Sequence, residues 1–373
     1  VYKRQAILGI LFTLFTGLLT SFKYLQHWAP CYDFGIFSQM FNYMKETLQP
    51  LTTCERDGLL SHFAVHFSPI YYLLLPFFFI FPSPVTLLMG QAAIIASGLI
   101  PLYLICKRHK LSNAAVILFS LCYVLLPSMA NGCFFFLHEN KFLTPLILWL
   151  AFALEKNKWI PSVIFTLLLL AVKEDAPVYA AVLGLYFIVS RRNISKGALV
   201  FVLSIIYFIT VSYFMSKYGL GTMSYRYDNF IYDGSGSLFT VIKAVILNPI
   251  YTVHEAFDEE KIKFILQMLV PLAFMPLMIK KPSRIILLIP FILLNLMSDY
   301  TYQHNINFQY TYGSAAFLFY LMILNYQDMK PGFRCKVLAV AATSSIFMFM
   351  CNTYYRTSGY ESYKTDKNSG AKA

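Results

Sequence analysis

The stretch Ser68–Phe81, SPIYYLLLPFFFIF, is apolar almost throughout, carries Pro69 and Pro76, and is bounded by Pro82 and Pro84. A helix needs about 17–25 apolar residues to cross the ~30 Å hydrocarbon layer, and runs of about 10–14 are more often interfacial or re-entrant. The basic residues around the stretch decide between the two. If it spans, the Lys107/Arg108/Lys110 cluster and the Lys156/Lys158 pair fall outside, against the preference of basic loops for the cytoplasm. If it does not, those loops share the cytoplasm with Lys3/Arg4, Arg191/Arg192/Lys196, Lys280/Lys281/Arg284 and Lys330/Arg334/Lys336. An outer-leaflet hairpin is therefore expected at Ser68–Phe81.

Outward from this point, eleven apolar runs read as spans. They are Ala6–Phe22, Val85–Cys106, Ala114–Met129, Phe142–Leu154, Trp159–Val172, Ala176–Val189, Gly197–Met215, Phe264–Ile279, Ile285–Met297, Gly313–Leu324 and Val337–Cys351. The expected fold class is an all-α polytopic membrane protein, with about 11 transmembrane helices and a long first outer loop carrying interfacial helices. That loop covers 23–84, and a second long outer loop covers 216–263. Residues 1–353 form one transmembrane domain with no convincing internal repeat, Gly234–Ser237 is a flexible turn, and 354–373 is a polar, disordered tail. The chain is placed in the cell (cytoplasmic) membrane as a multi-pass protein with its N-terminus inside. Of its 18 acidic residues only Glu155 and Asp328 fall on the cytoplasmic side. Any chemistry belongs on the outer face.

Composition agrees. The 373 residues are 58% hydrophobic and only 13% charged, against about a quarter charged in soluble domains, and mean hydropathy is +0.59. The net charge of +12 does not point to nucleic acid, because the basic residues punctuate apolar runs rather than interleave with base readers. The seven cysteines are scattered singly, without zinc spacing. A Cys31–Cys54 disulfide is conceivable on the outer face. The first apolar run lacks a small-residue cleavage site and reads as an anchor.

The polar residues expected outside fall into short clusters. After Asp33, apolar residues at Ile36, Phe37, Met40, Phe41 and Met44 follow a helical stripe, which suggests a helix lying flat on the outer leaflet. Asp33 is then either a helix cap or an acid/base group at the lipid–water boundary. His62 and His66 share one face at i, i+4; without the Glu of HExxH they suit phosphate better than a metal, and no metal site is expected. His138 and Glu139, with Asn140 and Lys141, follow the Phe134–Phe136 run and are a surface turn or a site. Lys173, Glu174 and Asp175 interrupt a nearly continuous apolar stretch from Trp159 to Val189. Even one charge at membrane depth costs a few kcal/mol, so the triplet is a tight outer hairpin or a polar cluster with partners. Arg226, flanked by Tyr225 and Tyr227, suits phosphate or carboxylate. Asp299–Tyr312 contributes His304, Asn307, Gln309 and Tyr310. P-loop, GxGxxG and GxSxG signatures are missing, so an activated substrate on the outer face would be lipid-linked.

Asp33-Phe34-Gly35 with Gln39, the run from His62 to Pro69 and on to Pro76, Gln91, the Phe-rich approach to His138-Glu139, and Lys173-Glu174-Asp175 together resemble one family. It is the predicted-membrane-protein family of unknown function number 2079, over roughly Asp33 to Leu324. That family is similar in layout to the GT-C superfamily of membrane glycosyltransferases, which transfer a sugar from a polyprenyl-phosphate carrier with inversion. The resemblance implies a catalytic acid at Asp33. His62, His66, His138, Glu139, Lys173, Glu174, Asp175, Arg226 and His304 are then the substrate-binding candidates. It also implies no cofactor beyond the lipid-linked sugar donor, with membrane lipid and an acceptor as partners. Many GT-C members pair acids in this loop, whereas Asp33 stands alone. A lipid or glycan transporter or flippase, and a structural partner in a cell-envelope complex, are the competing readings.

Overall fold

The computed structural model describes residues 2–27, 31–56, 58–222, 224–231 and 238–357. Within them the chain is helical apart from one short ladder. In chain order, α1 is Tyr2–Leu25, α2 Cys31–Thr47, α3 Leu75–Ile80, α4 Pro84–Ser97, α5 Leu99–Arg108, α6 Asn113–Val124, α7 Pro127–Asn131 and α8 Leu143–Glu155. Then come α9 Trp159–Leu170, α10 Ala176–Val189, α11 Ile194–Tyr218, α12 Leu238–Leu247, α13 Pro249–Ala256, α14 Glu259–Leu269, α15 Tyr312–Asp328 and α16 Pro331–Thr357. The ladder joins β1 (Leu51–Thr52) to β2 (Leu60–Ser61) antiparallel, with Leu51 opposite Ser61. Several starts are written locally. Ser83 accepts from Val85 N ahead of Pro84, Ser112 from Ala115 N, and Asp258 from Lys261 N; each satisfies an orphan N–H of the first turn.

Among the described residues, four stretches are long and apolar enough to cross a membrane: Lys3–Leu25, Pro84–Arg108, Ile194–Tyr218 and Pro331–Thr353. Asn113–Val124 and Pro127–Phe135, bent by 44°, make a fifth if they form one broken span. Trp159–Leu170, Ala176–Val189 and Pro282–Leu296 are shorter apolar helices. The chain is a multi-pass membrane protein, with four to five candidate spans where hydropathy alone counts about eleven. Length explains part of the difference: the 12 residues of α9 rise only about 18 Å, short of a ~30 Å core. Proline explains more. In the expected span Phe264–Ile279, helix α14 stops at Leu269, Pro271 and Pro276 withhold their N–H groups, and Ala273 and Phe274 sit at φ 48° and 53°. In Ile285–Met297 the chain winds as a 3-10 turn to Leu288, then as a π turn from Phe291 after Pro290.

Ser68–Phe81 folds as a 3-10 turn, Pro69–Leu73, followed by the six-residue α3. That is too short to cross, and its tip leaves Phe77, Phe79, Ile80 and Phe81 exposed. Helix α2 is not a free interfacial helix. Ile36, Phe37, Met40, Phe41 and Met44 are all buried, with Phe41 against Tyr71 and Phe78, so its apolar stripe is covered by protein rather than lipid. At the centre lies α15, buried on every side from Tyr312 to Tyr326, with α8 packed against it. Residues 354–357, expected in the tail, belong to α16, which runs to Thr357. Residues 358–373 and Gly234–Ser237 lie outside the described residues. Cys54 is a free exposed thiol, and the side chain of Cys31 is not among those described.

Charge is sorted to two ends of the bundle. At one end Glu155 closes α8 and accepts from His109 Nε2 (2.8 Å) and Tyr320 OH (2.7 Å), with Arg108 Nε at 3.1 Å and Arg192 at 3.7 Å. Beside it Asp328 closes α15 against Arg284 (2.6 Å) and Lys281 (3.5 Å). The two acids that fall in the basic loops thus each hold a cluster of cations. Helices α10 and α11 pack closely through Gly184 and Gly197, where an added Cβ would come within 2.7 Å of the facing glycine's carbonyl oxygen. Small residues allow such backbone approach between membrane helices. Gly184→Ala is expected to cost about 1–3 kcal/mol by forcing the pair apart, whereas Gly332→Ala meets nothing within 4 Å and should be near neutral. Thermal unfolding in detergent compares the two, and equal melting temperatures would remove the contact from the account.

Candidate functional site

The opposite end carries the polar residues, and each is placed by a local device. Gln39 on α2 reads the loop around the β-ladder: its Oε1 accepts from Thr53 N (2.8 Å), Cys54 N (3.2 Å) and Thr52 Oγ1 (2.8 Å). His62 N also donates to Pro50 O at 2.7 Å. The loop thereby brings Glu55 to His62, whose Nδ1 lies 2.8 Å from Glu55 Oε2. The two histidines do not ride on an α-helix. His62 starts a 3-10 turn and His66 follows it, yet their rings remain 5.9 Å apart, and His66 Nδ1 meets Glu174 Oε1 at 2.8 Å.

The segment after α7 is a buried corner rather than a surface turn. Gln91 on α4 donates to Cys133 O (3.1 Å), and Phe136 turns the chain at φ 62°. His138, Glu139, Asn140 and Lys141 are then all buried. The His138 ring stacks on Phe135 (5.2 Å) and meets Phe37 edge-on (5.0 Å). Its Nδ1 lies 3.4 Å from Phe136 O, and a carbonyl can only accept, so Nδ1 carries a hydrogen and Nε2 faces Asp33 Oδ2 at 3.7 Å. Asp33 lies inside the first turn of α2, two residues after its start, and faces His138 rather than capping the helix. Glu139 accepts from Lys173 Nζ at 2.7 Å and from Tyr71 OH at 2.6 Å. Lys141 donates to Phe136 O and lies over the Tyr312 ring.

The Lys173–Asp175 triplet joins α9 to α10 in a tight turn, so it is a hairpin and a buried polar cluster together. Lys173 is 2% exposed. Glu174 reaches back to His66 Nδ1 and to Phe67 N (3.2 Å). Arg226 lies between two rings, 4.7 Å from Tyr300 and 5.1 Å from Tyr310, and donates to Tyr310 OH at 3.3 Å.

These elements enclose a cavity of about 220 Å³. Asp33, His62, His66, His138, Glu139, Lys173 and Arg226 all line it, although they span almost two hundred positions of sequence. Glu174 stands behind His66, and Asp175 lies outside the lining beside Lys173 and Arg226. His304 does not join them; it is buried against α14, with Nε2 3.7 Å from Glu260. It was drawn in by its neighbours in sequence, Gln309 and Tyr310, which do line the cavity. Three lining residues escaped the sequence reading, Glu55, Arg56 and Tyr300, as did Tyr71, which stands behind the wall as a donor to Glu139. Tyr71 hid in a stretch read only for hydropathy, and Glu55 sits in an irregular loop where no helical or strand pattern links it to His62.

Electrostatics separates the acids. Burial raises the Glu139 carboxyl, but Lys173, His66 and His138 outweigh it and hold the group well below the usual glutamate range. Burial opposes Glu174 likewise, and His66 and Lys173 bring it from near 4.5 to about 2. For Asp175 burial wins and its carboxyl rises, against Lys173. Asp33 is 38% exposed, and His138 beside it holds it below the usual aspartate range, against partial burial. Burial pushes His138 down, against the neighbouring Asp33 carboxylate. Among the described residues, Asp33 is the cavity carboxylate that is open to the cavity and has no permanent cation beside it.

Two outcomes follow from the buried pair. Removing one partner of a buried ion pair costs about 3–5 kcal/mol because the other charge is stranded. Lys173→Met and Glu139→Gln should each lower stability by that order, while the double substitution recovers a large part; additive losses in thermal unfolding would contradict the pairing. The sign with pH is set by the depressed acids. Stability from Glu139 and Glu174 is full above their ordinary value near 4.5 and drains as pH falls toward about 2 for Glu174. Glu174→Gln should flatten part of that acid limb, measured as melting temperature against pH.

The family model described as Predicted membrane protein (DUF2079) matches residues 27–366, most of the chain, and the chain belongs to that family. No curated protein matches it.

Proposed function

We propose that this member of the DUF2079 family is a GT-C-type inverting glycosyltransferase, moving a sugar from a polyprenyl-phosphate donor to an acceptor on the outer face of the membrane. The observation that carries the reading is Asp33: a partly open carboxylate, ionised at pH 7, aimed into a cavity whose other acids are each tied to a histidine or a lysine. A base of this kind must lie within hydrogen-bond reach of the acceptor hydroxyl. Asp33 takes the hydroxyl proton as the oxygen bonds to the anomeric carbon. The bond from that carbon to phosphate oxygen breaks on the opposite face, and its electron pair leaves on the polyprenyl phosphate. Negative charge grows on the departing phosphate, where preorganised cations act most strongly. Arg226, with a planar fork of donors, and Lys173 line the cavity for that role.

Size and position support the same chemistry. About 220 Å³ is below the range of pockets that enclose a drug-sized ligand and suits a small polar group whose carrier stays in the bilayer. The aromatic walls Tyr300 and Tyr310 offer rings and hydroxyls to a sugar. Transport has less support: transporters place charges at the midplane of broken helices, whereas these groups sit in the loops that join helices at one end.

Purified protein in detergent, given labelled polyprenyl-phosphate sugars and an acceptor, tests the reading. Asp33→Asn should lower transfer by about 10²–10⁴-fold with the fold retained. Transfer unchanged in Asp33→Asn would show that another group is the base. If wild type moves labelled lipid between leaflets of vesicles without transferring the sugar, the flippase reading replaces the enzyme.

A further inference from the structure

The end of the bundle away from the polar cavity holds a second polar basin. Helix α8 carries the chain from Lys141, beside the cavity, through 13 residues to Glu155, about 20 Å along its axis. There Arg108, His109, Glu155 and Arg192, with Leu154 and Phe187, line a basin of about 460 Å³. We propose that this basin binds the phosphate of an anionic phospholipid headgroup from the adjoining leaflet.

Charge and exposure carry the proposal. The lining holds two permanent cations and one acid, and the acid is turned inward. Glu155 is 4% exposed and gives its Oε1 to His109 and Tyr320, while the side chains of Arg108 and Arg192 are 37% and 31% exposed. His109 is held in place from behind, with Nδ1 2.6 Å from Gln327 Oε1. One buried carboxylate shared by two open guanidiniums leaves a surplus positive charge facing out. Guanidinium forks match phosphate oxygens in pairs. The surroundings add to the field, since Lys107, Lys110, Lys156, Lys158 and Arg191 are all exposed beside the basin. Leu154 and Phe187, almost fully buried, close the bottom of the basin. Basic pockets between membrane helices are recognised lipid-headgroup sites. The inference stands apart from the transfer reading, because it shares no residue with the cavity.

The test is native mass spectrometry of the full chain in neutral detergent, with phosphatidylglycerol or phosphatidylcholine added. One phosphatidylglycerol should be retained about tenfold or more over phosphatidylcholine, and Arg108→Gln/Arg192→Gln should lose that preference. Lys107→Gln/Lys110→Gln removes equal charge outside the basin and should keep it. Because Arg108 also ties α5 to α8, Arg192→Gln alone is the milder variant, and the wild-type preference is read without any variant. Equal retention of the two lipids overturns the proposal. So does equal loss in both double variants, which would mean diffuse charge. Inorganic phosphate should not compete; if it displaces the lipid, the site belongs to a free anion.

Discussion

Lys173 and Glu139 meet at 2.7 Å, each almost without exposure, in a chain where most polar groups are kept at helix ends. Desolvation is the term that governs them. Either charge alone would be stranded at a cost of several kcal/mol, so the two must arrive together, and the segments that carry them must meet. That demand joins the α9–α10 turn to the corner after α7. The remaining acceptor of Glu139 then recruits Tyr71 from the short segment before α3, and Glu174, adjacent in sequence to Lys173, recruits His66. A single desolvated pair thus draws three separate stretches of chain to one place.

The opposite end is built on the same principle with the sign reversed. Among the basic loops, Glu155 and Asp328 each gather cations, and each is the last or nearly the last residue of a central helix. A lone acid in a basic field is tightly held. It also ties segments that no loop connects to α8, since Glu155 reaches Arg108 at the end of α5, Arg192 between α10 and α11, and Tyr320 within α15. The polar cavity and the basic basin are therefore two consequences of sorting charge to the ends of apolar helices.

Asp33 differs from the other cavity acids in being left partly open. Glu55, Glu139 and Glu174 are consumed by His62, Lys173 and His66 and hold the walls; His138, itself clamped between Phe37 and Phe135, touches Asp33 only at 3.7 Å. A group with a defined environment and a free face can exchange a proton, whereas a saturated one can only support.

Membrane character was legible in composition, because the apolar fraction exceeds what a soluble core can cover. The positions of the charged clusters, and the shortness of Ser68–Phe81 with its two prolines, were legible too, since each depends on local sequence alone. The number of spans was not: Pro271, Pro276 and Pro290 break apolar runs in ways hydropathy averages over. Nor was the burial of α2, whose stripe looks the same to lipid as to Tyr71 and Phe78. Asp33, His62, His138, Lys173 and Arg226 could be singled out one by one, as charged or polar groups interrupting apolar sequence. Their sharing of one cavity, the exclusion of His304 from it, and the recruitment of Glu55 and Tyr71 rest on contacts between segments remote in the chain. Sequence determines which charges cannot remain unpaired in an apolar bundle; only the tertiary structure decides which partner each one finds, because pairing energy depends on distance and desolvation.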